Sequence, residues 1–381
     1  MNKNFRITQL ILSNYRNHEF LQINPKKNII LISGKNGSGK TNILESISLF
    51  DSNSGFRNAN LFELIRYEQK GPPELFGVNL KAFYENESIE IGLGLKENVG
   101  LLSKVTSYNK KKNVNSNKKF SIFWVLPQMS HLLQGSPEDR RSFLDSMISS
   151  TDDTYKKKMQ EYKKLKNERI KILKNTNIEE NTKWLDVIEN KMSEIGIVIC
   201  DSRRVFINSL NKSFCKIDDQ IPLLQLKLNG KADEVLKIKP ALYVEEFILQ
   251  TLKENRMKDS ISGRTNFSID RTDLLVFEKK SKKEGKNFST GEQKIIIISI
   301  IFSFLNILEE IKNSKVLFLL DDIFSYLDYR FIKNIINRLN DLNLQTWMTD
   351  VRNDSFNQSD KFQSIIHNIN IDDYRFKVIN N

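Results

Sequence analysis

Cysteine is nearly missing from this chain. Cys200 and Cys215 are the two it has in 381 residues, so neither a disulfide framework nor a multi-cysteine metal site can be built, and a reducing cytosol is the simplest setting. Three histidines, His18, His131 and His367, leave little for metal chemistry. Long hydrophobic runs are also lacking. The amino-terminal stretch MNKNFRITQLILSNYRNHEF has a short apolar run broken by polar residues, which fits neither a signal peptide nor a membrane span. The longest apolar stretch, Ile295 to Leu305, is interrupted by Ser299 and Ser303 and is too short to cross a bilayer, so the expectation is a soluble, cytoplasmic chain with no membrane partner. What is present is globular in character: 39% hydrophobic, 28% charged and 10% aromatic residues exclude collagen-like, disordered-tail and disulfide-scaffold classes. The length suggests two or three domains, or one large head carrying an inserted module.

The charge is asymmetric, with 59 basic against 47 acidic residues, net +12. An AT-rich genome that fills a chain with Lys, Asn and Ile would spread such an excess evenly. Here Lys110 to Lys119 carries +5, Lys156 to Lys174 carries +7 and Glu278 to Lys286 carries +3, together more than the whole excess. That clustering favours a polyanion-binding surface over compositional drift.

Along the chain, FRITQLIL, FLQI and NIILIS read as strands, the last ending directly in glycine. NILESISLF places Ile43, Leu44, Ile47 and Phe50 on one helical face, so a helix starts near Lys40. GVNLKAFY, SIEIGLGL and KVTSY predict an antiparallel sheet, and Asn109 to Asn117 an exposed loop. From Glu138 the period becomes helical, opening at PEDRRSFLDSMI. Leu185, Ile188, Met192, Ile195, Ile199 and Phe206 form an a/d seam, and Tyr155, Met159, Tyr162, Leu165 and Ile172 a less regular stripe. With the polar segment 175–182 between them they predict an antiparallel helical hairpin, or equally two core helices of an ordinary helical subdomain. The strand PLLQLKLN, the helix VEEFILQTLKEN and a second strand NFSIDRTDLLVF complete this middle module.

Gly34, Lys35, Asn36, Gly37, Ser38, Gly39, Lys40 and Thr41 match the phosphate loop G-x-x-x-x-G-K-[ST], with a strand before and an amphipathic helix after, and Asn42 follows it directly. Glycines let backbone N–H groups face phosphate, Lys40 reaches β- and γ-oxygens, and the Thr41 hydroxyl ligates Mg²⁺. The apolar run Val316 to Leu320 then ends in Asp321 and Asp322, a buried parallel strand with an acidic tip at the end of a neighbouring strand. Asp321 would hold Mg²⁺ and Asp322 would orient or deprotonate the attacking water; the pair could also cap the helix IFSYL. Phe288-Ser-Thr-Gly-Glu-Gln-Lys294 opens a long apolar helix before these aspartates and is similar to the ABC signature L-S-G-G-Q; Ser289 alone would suit an N-cap.

Taken with NYRN at 14–17, LPQM at 126–129, GSPEDRRSFLD at 135–145 and the SYLD ending at Asp328, these motifs resemble the RecF family, in the SMC-like branch of ABC-type ATPases. The resemblance runs from about residue 5 to 350. It implies an α/β ABC-type phosphate-loop ATPase head with a mixed sheet and an inserted, mainly helical lobe. The expected divisions are 1–137 and 264–381 for the head and 138–263 for the lobe, too short for long SMC arms. It further implies ATP and Mg²⁺ as cofactors and ATP-driven homodimerisation. Binding to duplex DNA near single-strand gap junctions, slow hydrolysis that resets the protein, and cooperation with RecR, RecO and RecA follow from the same likeness. On this pattern Gln128 is the Q-loop residue near metal and water, Arg16 lies near the nucleotide, and Ser289 and Gly291 act on the nucleotide of the other subunit.

The chain departs from the broader pattern at three places. Thr290 and Glu292 replace Gly and Gln in the signature, and a Glu292 carboxylate near γ-phosphate is repulsive unless turned away. Asp322 replaces the Glu usual in transporters, and Thr349 and Asp350 stand where a switch histidine is sought. These changes predict a slow switch. The rival reading, the nucleotide-binding domain of a transporter, requires an apolar coupling surface and a shorter, less basic insert. A small-molecule phosphoryl-transfer enzyme would need a substrate lid that the sequence does not offer.

Overall fold

The computed structural model describes residues 5–51, 55–66, 75–84, 87–98, 101–109, 111–112, 120–175, 181–214, 223–311, 316–322, 329–350, 360–372 and 378–379. They divide into two compact units, one drawn from residues 1–129 and 308–381, the other from 130–307. Residues 264–307, assigned to the head on pattern, are part of the second unit.

The first unit starts with β1 (Arg6–Tyr15) and β2 (His18–Ile23), a hairpin whose turn residue Arg16 adopts a left-handed φ of 55°. Next come β3 (Ile29–Ser33), the phosphate loop and α1 (Lys40–Ser48). The spacing of Ile43, Leu44 and Ile47 does what the period requires, burying all three, with Phe50 close behind. After a single helical turn, α2 (Leu61–Leu64), follow β4 (Gly77–Tyr84), β5 (Glu87–Asn98), β6 (Leu101–Tyr108) and the two-residue β7 (Lys111–Lys112). The expected loop thus begins with a short strand, while Lys110 and 113–119 lie outside the described residues. Strand β8 (Ser121–Val125) and a 3₁₀ turn at Pro127–His131 close this part.

The second unit holds α3 (Pro137–Thr151), α4 (Asp153–Asn175), α5 (Thr182–Ser213), β9 (Leu224–Asn229), α6 (Lys231–Leu236), α7 (Ala241–Glu254), α8 (Arg256–Ser262) and β10 (Asp273–Glu278). Every residue of the α5 seam is buried, but α5 packs on α3, α6, α7 and β9 as well as on α4. The pair is therefore the core of a helical subdomain, and the free-standing hairpin gives way to that alternative. On α4 the buried stripe is Tyr155, Tyr162, Arg169 and Leu173; Met159, Leu165 and Ile172 are only half-buried. Only the second half of NFSIDRTDLLVF is a strand, antiparallel to β9; Ile269–Arg271 is a 3₁₀ turn capped by Ser268. Helix α9 (Thr290–Glu310) is longer than its apolar run and could cross a membrane by length and composition alone. Ile296 to Leu305 are instead buried, with Phe304 facing Phe206 and Ser303 donating to the Leu210 carbonyl.

The chain then returns to the first unit with β11 (Val316–Asp321), α10 (Tyr329–Asp341), β12 (Thr346–Asp350), α11 (Asp360–Ile365), β13 (Ile366–Asn370) and β14 (Val378–Ile379). Two sheets result. One is parallel, in the order β13-β3-β12-β11-β8; the other runs β14-β2-β1-β4-β5-β6-β7 and is antiparallel except where β14 joins β2. Every residue of β3, β11 and β12 is buried, as parallel strands covered on both faces require. Their side chains share one core with the antiparallel sheet, including Ile30, Ile32, Leu317, Leu319 and Trp347. Each such full burial stabilises the fold by roughly 1.5–3 kcal/mol.

Candidate functional site

Because β3, β12, β11 and β8 run parallel, their carboxyl ends meet at one edge of the sheet, where open α/β sheets bind ligands. Register aligns Ser33 with Asp350, and Thr349 with Asp321. The acidic strand is not directly beside β3 as expected: β12 lies between them. This spacing gives Thr349 its position.

The phosphate loop turns through Gly37 (φ 80°) and Gly39 (φ 101°), conformations that a side chain would strain. A Cβ on Gly39 would also strike the Asn17 side chain at 2.5 Å. Lys35 and Asn36 are exposed, and Lys40 curls under the loop, its Nζ donating to the carbonyls of Gly34 (2.6 Å) and Lys35 (2.9 Å). Burial lowers the Lys40 ammonium from its ordinary value, against the pull of Asp372, Asp322, Asp321 and Asp350. The Ser38 hydroxyl is buried and has no hydrogen-bond partner among the described residues. A loop of N–H groups, an ammonium and a spare hydroxyl suits an anionic phosphate chain.

Thr41 and Asp321 meet across the edge. The Thr41 hydroxyl donates to Asp321 Oδ1 at 3.0 Å, and the Thr349 hydroxyl donates to the same oxygen at 2.7 Å while accepting from the Asp322 N–H at 3.0 Å. Burial pushes the Asp321 carboxyl up from its ordinary range, and the two hydroxyls partly offset this. Asp322 is half-buried with φ 45°, a left-handed conformation that Asp adopts more readily than longer side chains. Hydroxyl and carboxylate oxygens are the hard donors that suit Mg²⁺, which takes its remaining ligands from phosphate and water. Among the described residues there is no group of three His, Cys, Asp or Glu placed to hold a metal. Gln128 is exposed in the turn that follows β8, the strand beside β11.

Arg16 does not point freely into the site. It forms a double hydrogen bond to the fully buried Glu45 of α1, at 2.9 and 2.7 Å, so it ties the hairpin turn to the helix. The next two residues touch the loop instead: Asn17 donates to the Ser38 carbonyl at 2.9 Å, and His18 Nε2 lies 3.3 Å from the Gly39 carbonyl. Asn42 is held between Asn17 and Arg57, each at 2.8 Å. Asp372, just beyond β13, accepts from the Lys35 N–H at 2.9 Å with both oxygens. Sequence reasoning misses Asn17, His18, Glu45, Arg57, Thr349 and Asp372 as parts of the site; of these only Asn17 belongs to a motif, NYRN, that signals it.

In the second unit, Ser289 and Glu292 form a reciprocal cap on α9. The Ser289 N–H and hydroxyl donate to Glu292 Oε2 at 2.8 and 2.7 Å. These bonds hold the Glu292 carboxyl below the usual range and turn it back onto its own helix. Gln293 is buried and clasps the carbonyls of Lys286 and Phe288. A Cβ on the exposed Gly291 would meet no atom within 4 Å, so nothing described in this chain requires glycine there. Residues 323–328, with the SYLD segment, lie outside the described residues.

The RecF/RecN/SMC N terminal domain family model matches residues 6–371. The chain is 32% identical over 355 residues to the DNA replication and repair protein RecF of Rickettsia typhi, covering 91% of this chain and 94% of that protein. Its counterpart in Rickettsia prowazekii matches at 32% over 352 residues, with the same coverage. Among solved structures, the recombination mediator protein RecF-ATP in the RecFOR pathway superposes with a TM-score of 0.78 at 23% identity, over 93% of this chain and 94% of that one. The Smc head domain of Pyrococcus furiosus reaches a TM-score of 0.54 at 16% identity, over 96% and 94%.

Proposed function

The chain belongs to the RecF family, and from that premise we propose that it is an ATP-dependent DNA-binding protein of recombinational repair and replication restart. Two copies close on ATP into a clamp on duplex DNA near single-strand gaps. There the clamp assists the loading of RecA together with RecR and RecO. The observation that supports this reading is the convergence on one sheet edge of the Lys40 loop with Thr41, Asp321 and Asp322, the last two linked through the Thr349 hydroxyl.

Bound ATP with Mg²⁺ supplies the scissile phosphoanhydride and the charge that must be stabilised. Lys40, which donates to the Gly34 and Lys35 carbonyls, would bind the phosphates, and Thr41 and Asp321 would hold the metal, helped by Gln128. Asp322 orients the attacking water. Thr349 ties the Asp321 carboxylate to the Asp322 backbone N–H, and the absence of a histidine here suits slow turnover.

From the other copy, Ser289 and Gly291 present a hydroxyl and a bare backbone N–H to the nucleotide. The open space beside Gly291 supports a partner's approach. Glu292 is folded onto Ser289, so the Ser289 hydroxyl must leave that carboxylate before it reaches a nucleotide, a further brake on turnover.

Solution mass with Mg²⁺–ATP, with ADP and without nucleotide tests the clamp. The expected result is a dimer on ATP alone, prolonged in Asp322→Asn and abolished in Ser289→Arg. If Ser289→Arg dimerises like wild type, Ser289 is only the cap of α9.

A further inference from the structure

Within the second unit, α4 and the chain beyond α8 enclose a cleft of about 480 Å³ that the nucleotide site does not use. Its walls are braced from behind. Arg169, fully buried on α4, donates to Glu189 at 2.8 Å and to Asp259 of α8 at 2.7 Å. The other Asp259 oxygen accepts from the N–H and side-chain amide of Asn266, at 2.8 and 2.9 Å. Gly263 (φ 65°) ends α8 and turns the chain back toward α4, where a Cβ would meet the end of Lys174. The backbone lining the cleft is therefore held in place before any ligand arrives.

The lining includes Lys166 and Lys171 from one wall, and Arg264, Thr265, Asp270 and Arg271 from the other. Lys166 is paired with Asp270. Lys171, Arg264 and Arg271 have no carboxylate partner among the described residues, so a concave surface gathers like charge without internal compensation. Thr265 is only 7% exposed, yet its hydroxyl has no hydrogen-bond partner among the described residues. Buried hydroxyls are normally paired, and an unused donor beside three unpaired cations points to an anion with several acceptor oxygens.

Guanidinium groups match phosphate oxygens in pairs, and no aromatic side chain lines the cleft to stack a base or nucleoside. Positive charge also continues along α4 beyond it, on the exposed Lys157, Lys163 and Lys164. Such a track suits a repeating polyanion, where a single small anion would be served by the cleft alone. We propose that this cleft seats backbone phosphate of duplex DNA, an assignment that rests on the DNA-binding reading above and gives it a location.

Fluorescence anisotropy of duplex DNA with the full-length protein and Mg²⁺–ATP, repeated across a salt series, tests this with Arg264→Ala/Arg271→Ala and Thr265→Val. The expected result for the double variant is weaker binding and a plot of log affinity against log salt less steep by about one unit for each phosphate no longer neutralised. Thr265→Val, nearly isosteric and neutral, weakens binding several-fold with the slope unchanged, and it keeps the test readable if the double variant unfolds early. Wild type that binds DNA while both variants match it in affinity and slope overturns the cleft and leaves the DNA reading standing. Wild type that binds no duplex defeats the reading itself, and the cleft assignment with it. Inorganic pyrophosphate is titrated into Lys40→Ala, in which the phosphate loop is disabled. Saturation that disappears with Arg264→Ala/Arg271→Ala, combined with DNA binding indifferent to those changes, makes the ligand a free phosphate compound and overturns the DNA assignment.

Discussion

Asp321 is the residue on which the acidic edge turns, and the protein holds it at a cost when nucleotide is absent. Burial raises its carboxyl above the free side-chain value of about 3.9, and the hydroxyls of Thr349 and Thr41 recover part of the difference. A carboxyl raised on folding favours the folded state fully below the unfolded value, and that contribution is lost as pH rises through the raised one. Asp321→Asn, whose amide oxygen can still accept from both hydroxyls, should therefore raise the thermal midpoint of the nucleotide-free protein at pH 7–8. The gain should shrink to nothing in acid, while Mg²⁺-dependent ATP binding is lost. A variant that melts below wild type at neutral pH would contradict this. Lys40, Thr41 and Asp321 are legible in the sequence because motif and strand lie in continuous chain. Thr349 is visible there only as a missing histidine, and Arg57 and Asp372 not at all. Their roles arise from strand register and loop return, across 28 residues for Thr349 and 337 for Asp372.

At the scale of elements, the segment GSPEDRRSFLD proves to be a structural knot. Ser136 and Asp139 cap α3 reciprocally, Arg140 grips Asp273 of β10 through two bonds of 2.8 Å, and Arg141 donates to the Thr272 carbonyl. Asp145 then receives Arg203 of α5, a fully buried guanidinium, at 2.9 and 2.8 Å, together with the Tyr155 hydroxyl of α4 at 2.6 Å. Removing one partner of a buried pair strands the other, so Asp145→Ala should lower stability by about 3–5 kcal/mol. Urea unfolding followed by circular dichroism measures this, and a loss below about 1 kcal/mol, the level of an exposed pair, would show that Arg203 finds another partner. Helix α4 shows where element reading fails. Arg169 and Lys166 count toward its basic surface on pattern, but the first is core and the second is paired with Asp270. Helical period identifies the inward face, but not whether a charge there meets a carboxylate arriving from α5 or α8.

For the whole molecule, two compact units drawn from an interrupted chain imply two cooperative melts. ADP, which should occupy the phosphate loop without closing a dimer, is expected to raise only the transition of the first unit. At 100 times its Kd the gain is about 2.7 kcal/mol. Calorimetry with and without ADP reads this directly; equal shifts in both transitions would mean that the units unfold as one. By itself the sequence determined the α/β class, the glycine-rich loop between strand and helix, the acidic strand and the capped helix that FSTGEQK opens, because each depends on side-chain type and spacing within one short stretch. Only the tertiary structure decided the rest: the order of the parallel strands that inserts β12 and its threonine between loop and acid, the fate of each charge on α4, and the cleft beside it. Those depend on which distant segments share a surface, and a register or a buried partner is set by packing that no local pattern encodes.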